Sequence, residues 1–205
     1  MSGGVTTDPM RAGTPIVWFA AGVIDRMAAE AARTFPLETG GVLMGYTDAI
    51  GADVVVRECI GPGPHAVHHG SAFVPDHIYH EQEVARIYAQ SGRVWTYLGD
   101  WHSHPDGRLE LSTADRRTVK WIARAVDARA PNPIMALIAG RATPVDDDAV
   151  GNGTSGTVED FQRCGWSIGA WRLDSRSPRW SAIFQRRRLV RCSVATFNAS
   201  IRHCD

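Results

Sequence analysis

The sequence predicts an α/β fold, a mixed β-sheet flanked by helices. Short runs rich in β-branched and aromatic residues recur along the chain, and stripes with helical spacing fall between several of them. The two kinds of segment alternate imperfectly, which favours a mixed sheet over a regular parallel array. At 205 residues and 44% hydrophobic content the chain is long enough to bury a sizeable core. Its seven tryptophans are spread along the length, as suits a packed domain better than a linker.

The elements follow in order. Residues 1–13 are polar and lack an apolar signal-peptide core, so they are expected to form a flexible leader of a cytoplasmic protein. A short strand at Pro15–Phe19 leads into a helix near Ala21–Thr34. Strands are expected at Gly41–Tyr46 and Val54–Cys59, and Gly61–Gly70 as a Gly/Pro/His loop. Asp76 suits the N-cap of a helix carrying Val84, Ile87 and Tyr88 on one face. The aromatic run from Val94 to Trp101 predicts a strand that continues into His102 and His104 and ends at Pro105. Ser112 opens a helix whose apolar stripe is Val119, Ile122, Ala123 and Val126. Ile134–Ala139 predicts a buried strand, 143–160 a mobile loop, and Ser167–Leu173 and Trp180–Phe184 two late strands. One main domain is therefore expected over 14–185, with a basic segment over 186–205.

The chemistry concentrates around His102-Ser103-His104-Pro105. Alternate strand residues point to one side, so His102 and His104 project together and Ser103 turns away. Two imidazoles at a strand end suit a tetrahedral metal such as zinc, with Asp115 the candidate third ligand from the next element. Ser112-Thr113-Ala114-Asp115 also has the spacing of a capping box, Ser112 as N-cap and Asp115 three residues on. The two roles are expected to compete for atoms: a carboxylate spent on a metal is not free to cap its own helix. A catalytic zinc site needs a separate base for its water. Glu38, directly before Gly40-Gly41 and an apolar run, is the candidate, although a surface Glu in a turn would look the same in isolation. Gly40 and Gly41 would let the backbone approach the site closely.

Taken together, Glu38-Thr39-Gly40-Gly41-Val42-Leu43-Met44-Gly45 and His102-Ser103-His104-Pro105, then six residues, then Ser112 and Asp115, resemble the JAMM signature of the JAB/MPN metalloprotease family. Gly61-Pro62-Gly63-Pro64, Phe73-Val74-Pro75-Asp76 and Tyr97-Leu98-Gly99-Asp100-Trp101 extend the likeness to small prokaryotic JAB proteins, over roughly residues 15 to 140. The resemblance implies a cytidine-deaminase-like α/β/α sandwich. It implies one catalytic zinc on His102, His104 and Asp115, Glu38 as acid/base, and Ser112 as donor to the oxyanion. It implies a peptidase that cuts the amide or isopeptide bond after the C-terminal tail of a ubiquitin-like protein. Some relatives are encoded in anti-phage operons with ubiquitin-activating-like and ubiquitin-conjugating-like enzymes. Two other readings stay open: a peptidase that processes a sulfur-carrier protein, and a non-catalytic scaffold. Intact Glu38 and Ser112 speak against the scaffold.

Other classes are excluded or unsupported. A zinc deaminase needs H-x-E and P-C-x-x-C, whereas this chain has His102-Ser103-His104 and no C-x-x-C among Cys59, Cys164, Cys192 and Cys204. The cysteines are expected to be free thiols in a reducing cytosol. A formal net charge of +0 gives no electrostatic case for nucleic acid, and no apolar run of membrane-spanning length occurs. His65, His68 and His69 form a cluster expected to be a polar loop, with a second metal site or substrate contact as the sharper alternative. Arg186, Arg187, Arg188 and Arg191 are expected to lie on a solvated strand face or tail. Asp100 and Asp106 flank the histidines, and either is a candidate for holding an imidazole tautomer.

Overall fold

The computed structural model describes residues 14–48, 53–140, 165–174 and 187–198. Their elements are β1 (Ile16–Ala20), α1 (Val23–Thr34), β2 (Gly40–Thr47), β3 (Val54–Ile60), β4 (Val67–His69), β5 (Ala72–Val74), α2 (His77–Gln90), β6 (Thr96–His104), α3 (Thr113–Ile122), β7 (Ile134–Gly140), β8 (Trp166–Asp174) and β9 (Arg188–Phe197). The main sheet is mixed, as the sequence predicts. β2 runs antiparallel to both β3 and β6, β6 parallel to β7, and β7–β8–β9 antiparallel in turn. β1 lies parallel to both β3 and β9. β4 and β5 form a separate two-stranded hairpin.

Side-chain alternation along the strands divides the core into two faces and so makes three layers. Leu43, Ile134, Ala136 and Ile138 pack with Val23, Ile24 and Met27 of α1. Their neighbours point the other way: Val42 and Met44 meet Ile87 of α2, while Met135 and Leu137 meet Val119 of α3. The sheet is thus covered by α1 on one face and by α2 and α3 on the other.

A bulge decides which face the histidines take. In the β2–β6 ladder Leu43 pairs Gly99 and Met44 pairs Tyr97, leaving Leu98 as the extra residue. Gly99 has φ 143, a backbone conformation only glycine adopts readily. One extra residue inverts the alternation downstream. Trp101 therefore enters the α1-side core with Leu98, and His102 and His104 emerge on the α2/α3 side.

Several expectations are corrected. Gly61–Gly70 is not all loop: residues 67–69 form β4, which pairs with β5. α3 ends at Ile122, with Ala123 as its C-cap, so Val126 falls outside the stripe and is 87% exposed. Of the two expectations for the basic segment, strand face or tail, the structure takes the strand: Arg188 and Arg191 are exposed on β9, the Arg191 guanidinium lies over the Trp171 ring, and Cys192 is buried between β1 and β8. Arg187 donates to the Ala123 carbonyl, at 3.0 Å. Cys59 and Cys192 are free thiols, and burial pushes both up to about 11. The leader 1–13, the loop 143–160, the strand Trp180–Phe184, Cys164, Cys204 and Arg186 lie outside the described residues. Among the described residues, no helix is long and apolar enough to cross a membrane.

Candidate metal centre

His102 and His104 end β6, both buried, with their Nε2 atoms 3.0 Å apart. Asp115, in the first turn of α3, completes the group: its Oδ1 is 3.3 Å from His102 Nε2 and its Oδ2 is 3.7 Å from His104 Nε2. One ligand atom from each residue lies within 4.8 Å of the other two. A tetrahedral zinc with bonds of 2.0–2.1 Å separates its ligands by about 3.3 Å, close to these spacings. The tautomer agrees. His104 Nδ1 is 2.8 Å from the Arg108 carbonyl, which can only accept, so Nδ1 carries the proton and Nε2 of the neutral ring offers a lone pair. A lone pair facing a second imidazole beside a carboxylate needs a proton or a cation between them. The donor set therefore fits a divalent metal.

The holder of that imidazole is not one of the two flanking carboxylates. Asp106 acts one step removed, accepting from Arg108 N at 3.0 Å and Arg108 Nε at 2.7 Å, which shapes the turn that presents the carbonyl. Asp100 instead accepts from the Tyr97 hydroxyl at 2.7 Å, and its burial pushes its carboxyl up from the ordinary value.

Asp115 does not choose between capping and the histidines. Its Oδ2 accepts from Ser112 N at 2.6 Å while its own N–H donates to Ser112 Oγ at 3.1 Å, a complete capping box. Oδ1 meanwhile faces His102. The expected competition is removed because a carboxylate has two oxygens, and the box itself aims the second one. Burial pushes the Asp115 carboxyl up, but the hydrogen bond and charge of His102, with the Ser112 cap, outweigh it and hold it well below the usual carboxylate range. Ser112 Oγ accepts from the Asp115 amide through a lone pair, so its O–H retains its donor capacity beside the Asp115 carboxylate.

Glu38 lies half-buried just before β2, in the same groove as the His/Asp group. Burial raises its carboxyl, His104 opposes this, and Asp115 and Asp106 add to it; the result is about 7. Its backbone is pinned on both sides. Thr39 N donates to Ser103 Oγ at 3.0 Å and Ser103 N donates to Thr39 O at 2.7 Å. Ser103 thus faces away from the histidines, as alternation predicts, and ties Glu38's strand to theirs. Gly40 and Gly41 permit the approach: a Cβ on Gly40 would lie 2.4 Å from the Trp101 carbonyl, and one on Gly41 1.9 Å from that of Ile60.

Sequence reasoning missed two things: the use of Ser103, and the destination of the loop histidines. His68 Nδ1 contacts the Glu38 carbonyl at 2.9 Å, Glu38 N donates to the His69 carbonyl at 2.8 Å, and His65 pairs with Asp76. Among the described residues, the only group of three or more potential metal ligands is His102, His104 and Asp115.

The groove is a cavity of about 1010 Å³ running across the His102–His104–Asp115 group. One arm lies along α2, with Val42, Met44 and Tyr97 in its wall; the other passes α3 at Trp121, which is 69% exposed.

A probable metalloprotease, y4qB, of Sinorhizobium fredii is 42% identical over 127 residues, covering 61% of this chain and 76% of that protein. A CD-NTase/cGAS isopeptidase of Escherichia coli is 32% identical over 104 residues, covering 51% of this chain, and one of Vibrio cholerae is 29% identical over the same length. The chain spans 62% of the length of each of these two isopeptidases. The solution structure of protein DSY2949 from Desulfitobacterium hafniense superposes with a TM-score of 0.56, covering 91% of this chain and 97% of that one at 16% identity, a likeness of fold. Residues 20–150 match the model of prokaryotic homologs of the JAB domain, and with its fold and its His/Asp centre the chain belongs to that family.

Proposed function

We propose that the protein is a zinc metallopeptidase that hydrolyses the amide or isopeptide bond after the C-terminal tail of a ubiquitin-like protein. The observation that carries this reading is the convergence of His102, His104 and Asp115 in a groove that also holds Glu38, with its carboxyl raised to about 7. A base poised near neutral pH suits proton transfer in both directions. The relatives named CD-NTase/cGAS isopeptidases support a protein conjugate as substrate, and the anti-phage setting rests on the resemblance of the sequence to JAB proteins encoded in such operons.

His102, His104 and Asp115 would hold the zinc, which when bound acidifies a water and polarises the scissile carbonyl. Glu38 takes the proton of the attacking water and delivers it to the leaving amine, a lysine side chain or a following peptide. The Ser112 hydroxyl, its acceptor side already used by the Asp115 amide, donates to the carbonyl oxygen as negative charge develops there. Ser71, Ala72 and Phe73 border the groove, and an extended tail can add as a strand beside them. Neither net charge nor fold calls for nucleic acid or a membrane in this reaction.

The test is incubation of the zinc-loaded protein with bacterial ubiquitin-like and sulfur-carrier-like domains fused at their C-termini to a reporter. Glu38→Gln and a chelator serve as controls. Cleavage abolished by both is expected, and the panel member cut names the substrate class. Zinc-replete protein inert across the panel would favour a scaffold over a peptidase.

A further inference from the structure

The hairpin β4–β5 does more than border the groove. Both backbone polar groups of Glu38 bond to β4: its N–H to the His69 carbonyl at 2.8 Å and its carbonyl to the His68 imidazole at 2.9 Å. The carbonyl can only accept, so His68 Nδ1 carries the proton. The His68 ring lies nearly parallel to that of its cross-strand partner Phe73, at 14° and with centroids 6.4 Å apart. Phe73 in turn packs on Gly40, where a Cβ would come within 2.6 Å of its ring. The hairpin thus closes on the segment 38–40 from the side opposite Ser103. A two-stranded hairpin of three residues per strand has little stability of its own, so these contacts bind the two segments together as one unit.

We infer that His68 is a positioning residue for the acid/base: its Nδ1–H fixes the Glu38 peptide and hence the reach of the carboxylate. The inference rests on the assignment of Glu38 as the acid/base. It assigns His68 no contact with substrate or metal. An imidazole is suited to the task because its ring can stack on Phe73 while its edge donates, which neither an aliphatic side chain nor phenylalanine can do.

Two variants separate the donor from the ring. His68→Asn places an amide N–H near where Nδ1 stands; His68→Phe keeps the stack and loses the donor. Amide hydrogen exchange of the full chain, with and without zinc, reads the Glu38 and Thr39 amides directly. Loss of one such hydrogen bond should speed exchange there by about 3–10-fold. His68→Phe is expected to show that acceleration and His68→Asn to reverse most of it. On a reporter fusion that the wild type cleaves, His68→Phe should lower kcat by about tenfold or more with KM and zinc content unchanged, because misplacing a base by a fraction of an ångström affects the chemical step. His68→Asn should restore most of kcat. Unchanged exchange at Glu38 and Thr39 in His68→Phe would overturn the inference even without a substrate. Unchanged kcat in that variant, with Glu38→Gln inactive, would overturn it while leaving the role of Glu38 intact. Full turnover by Glu38→Gln would instead sink the assignment on which the inference rests.

Discussion

Removing the Glu38 carboxylate should abolish a pH dependence of stability that the metal-free protein carries. The folded state raises this carboxyl from 4.5 to about 7. The folded state therefore holds the proton more tightly than the unfolded chain does. The sign follows: the contribution is fully present below about 4.5 and is lost as pH rises through about 7. At about 1.36 kcal/mol per tenfold change in proton affinity, the upper limit is about 3.4 kcal/mol. Glu38 is only half-buried, and solvent on its open side reduces this to about 1–2 kcal/mol. Glutamine keeps the shape and does not titrate. The stability of Glu38→Gln relative to wild type should thus rise by about 1–2 kcal/mol between pH 5 and pH 8, or about 2–8 °C in Tm for a protein of this size. Thermal or denaturant melts of both proteins in chelator measure it, and taking the difference removes the titration of every other group. Saturating zinc should shrink the effect, since a nearby cation favours the carboxylate. A stability difference that is flat from pH 5 to pH 8 in chelator would refute the reasoning. It would mean that the groove does not perturb Glu38 and that the base has no tuning toward neutral pH.

Three further outcomes are expected. Asp115→Asn keeps an oxygen able to accept from Ser112 N but loses the charge that His102 and the cap favour, so at neutral pH the metal-free protein should lose about 1–2 kcal/mol of stability, and the stabilisation that zinc provides at saturating concentration should be lost as well; elemental analysis and melts with and without zinc check both halves. Ser112→Ala removes the acceptor for the Asp115 amide and should cost about 1 kcal/mol of stability. The same change should lower turnover on a cleaved fusion by about 10²–10³-fold through the missing oxyanion donor, a loss too large for the stability change to explain. Gly99→Ala puts a Cβ 2.0 Å from the Ile134 carbonyl at φ 143, so it should destabilise by about 2–4 kcal/mol in a denaturant melt and disturb the register that aims His102 and His104.

Much of the site was legible because local patterns encode it. Strand alternation put His102 and His104 on one side and Ser103 on the other, the Ser112–Asp115 spacing announced a cap, and the neighbouring histidines made Asp115 a candidate ligand. What failed was long-range. β9 carries no strong periodic signal, and its place between β1 and β8 is set by partners far away in sequence. The hairpin β4–β5 is too short to announce itself within a Gly/Pro/His segment, since three-residue strands gain their order from what they pack against. The helical stripe from Val119 ran on to Val126 in sequence, yet Val126 has no core to enter and the helix stops at Ile122.

The sequence by itself determined the fold class, the chemical identity of the candidate ligands and base, and the pairing of the two imidazoles on one strand face, because all of these depend on residue type and local period. Only the tertiary structure decided that Asp115 caps and faces the histidines at once, that the Arg108 carbonyl holds His104, and that His68 and Ser103 hold Glu38 from opposite sides. Those are relations between individual atoms on separate elements. The two bonds that hold the Glu38 segment arise only when two close-packed glycines and a hairpin bring residues 30 and 64 apart along the chain to within a hydrogen bond, and the bulge at Leu98–Gly99 turns the histidines toward the same groove.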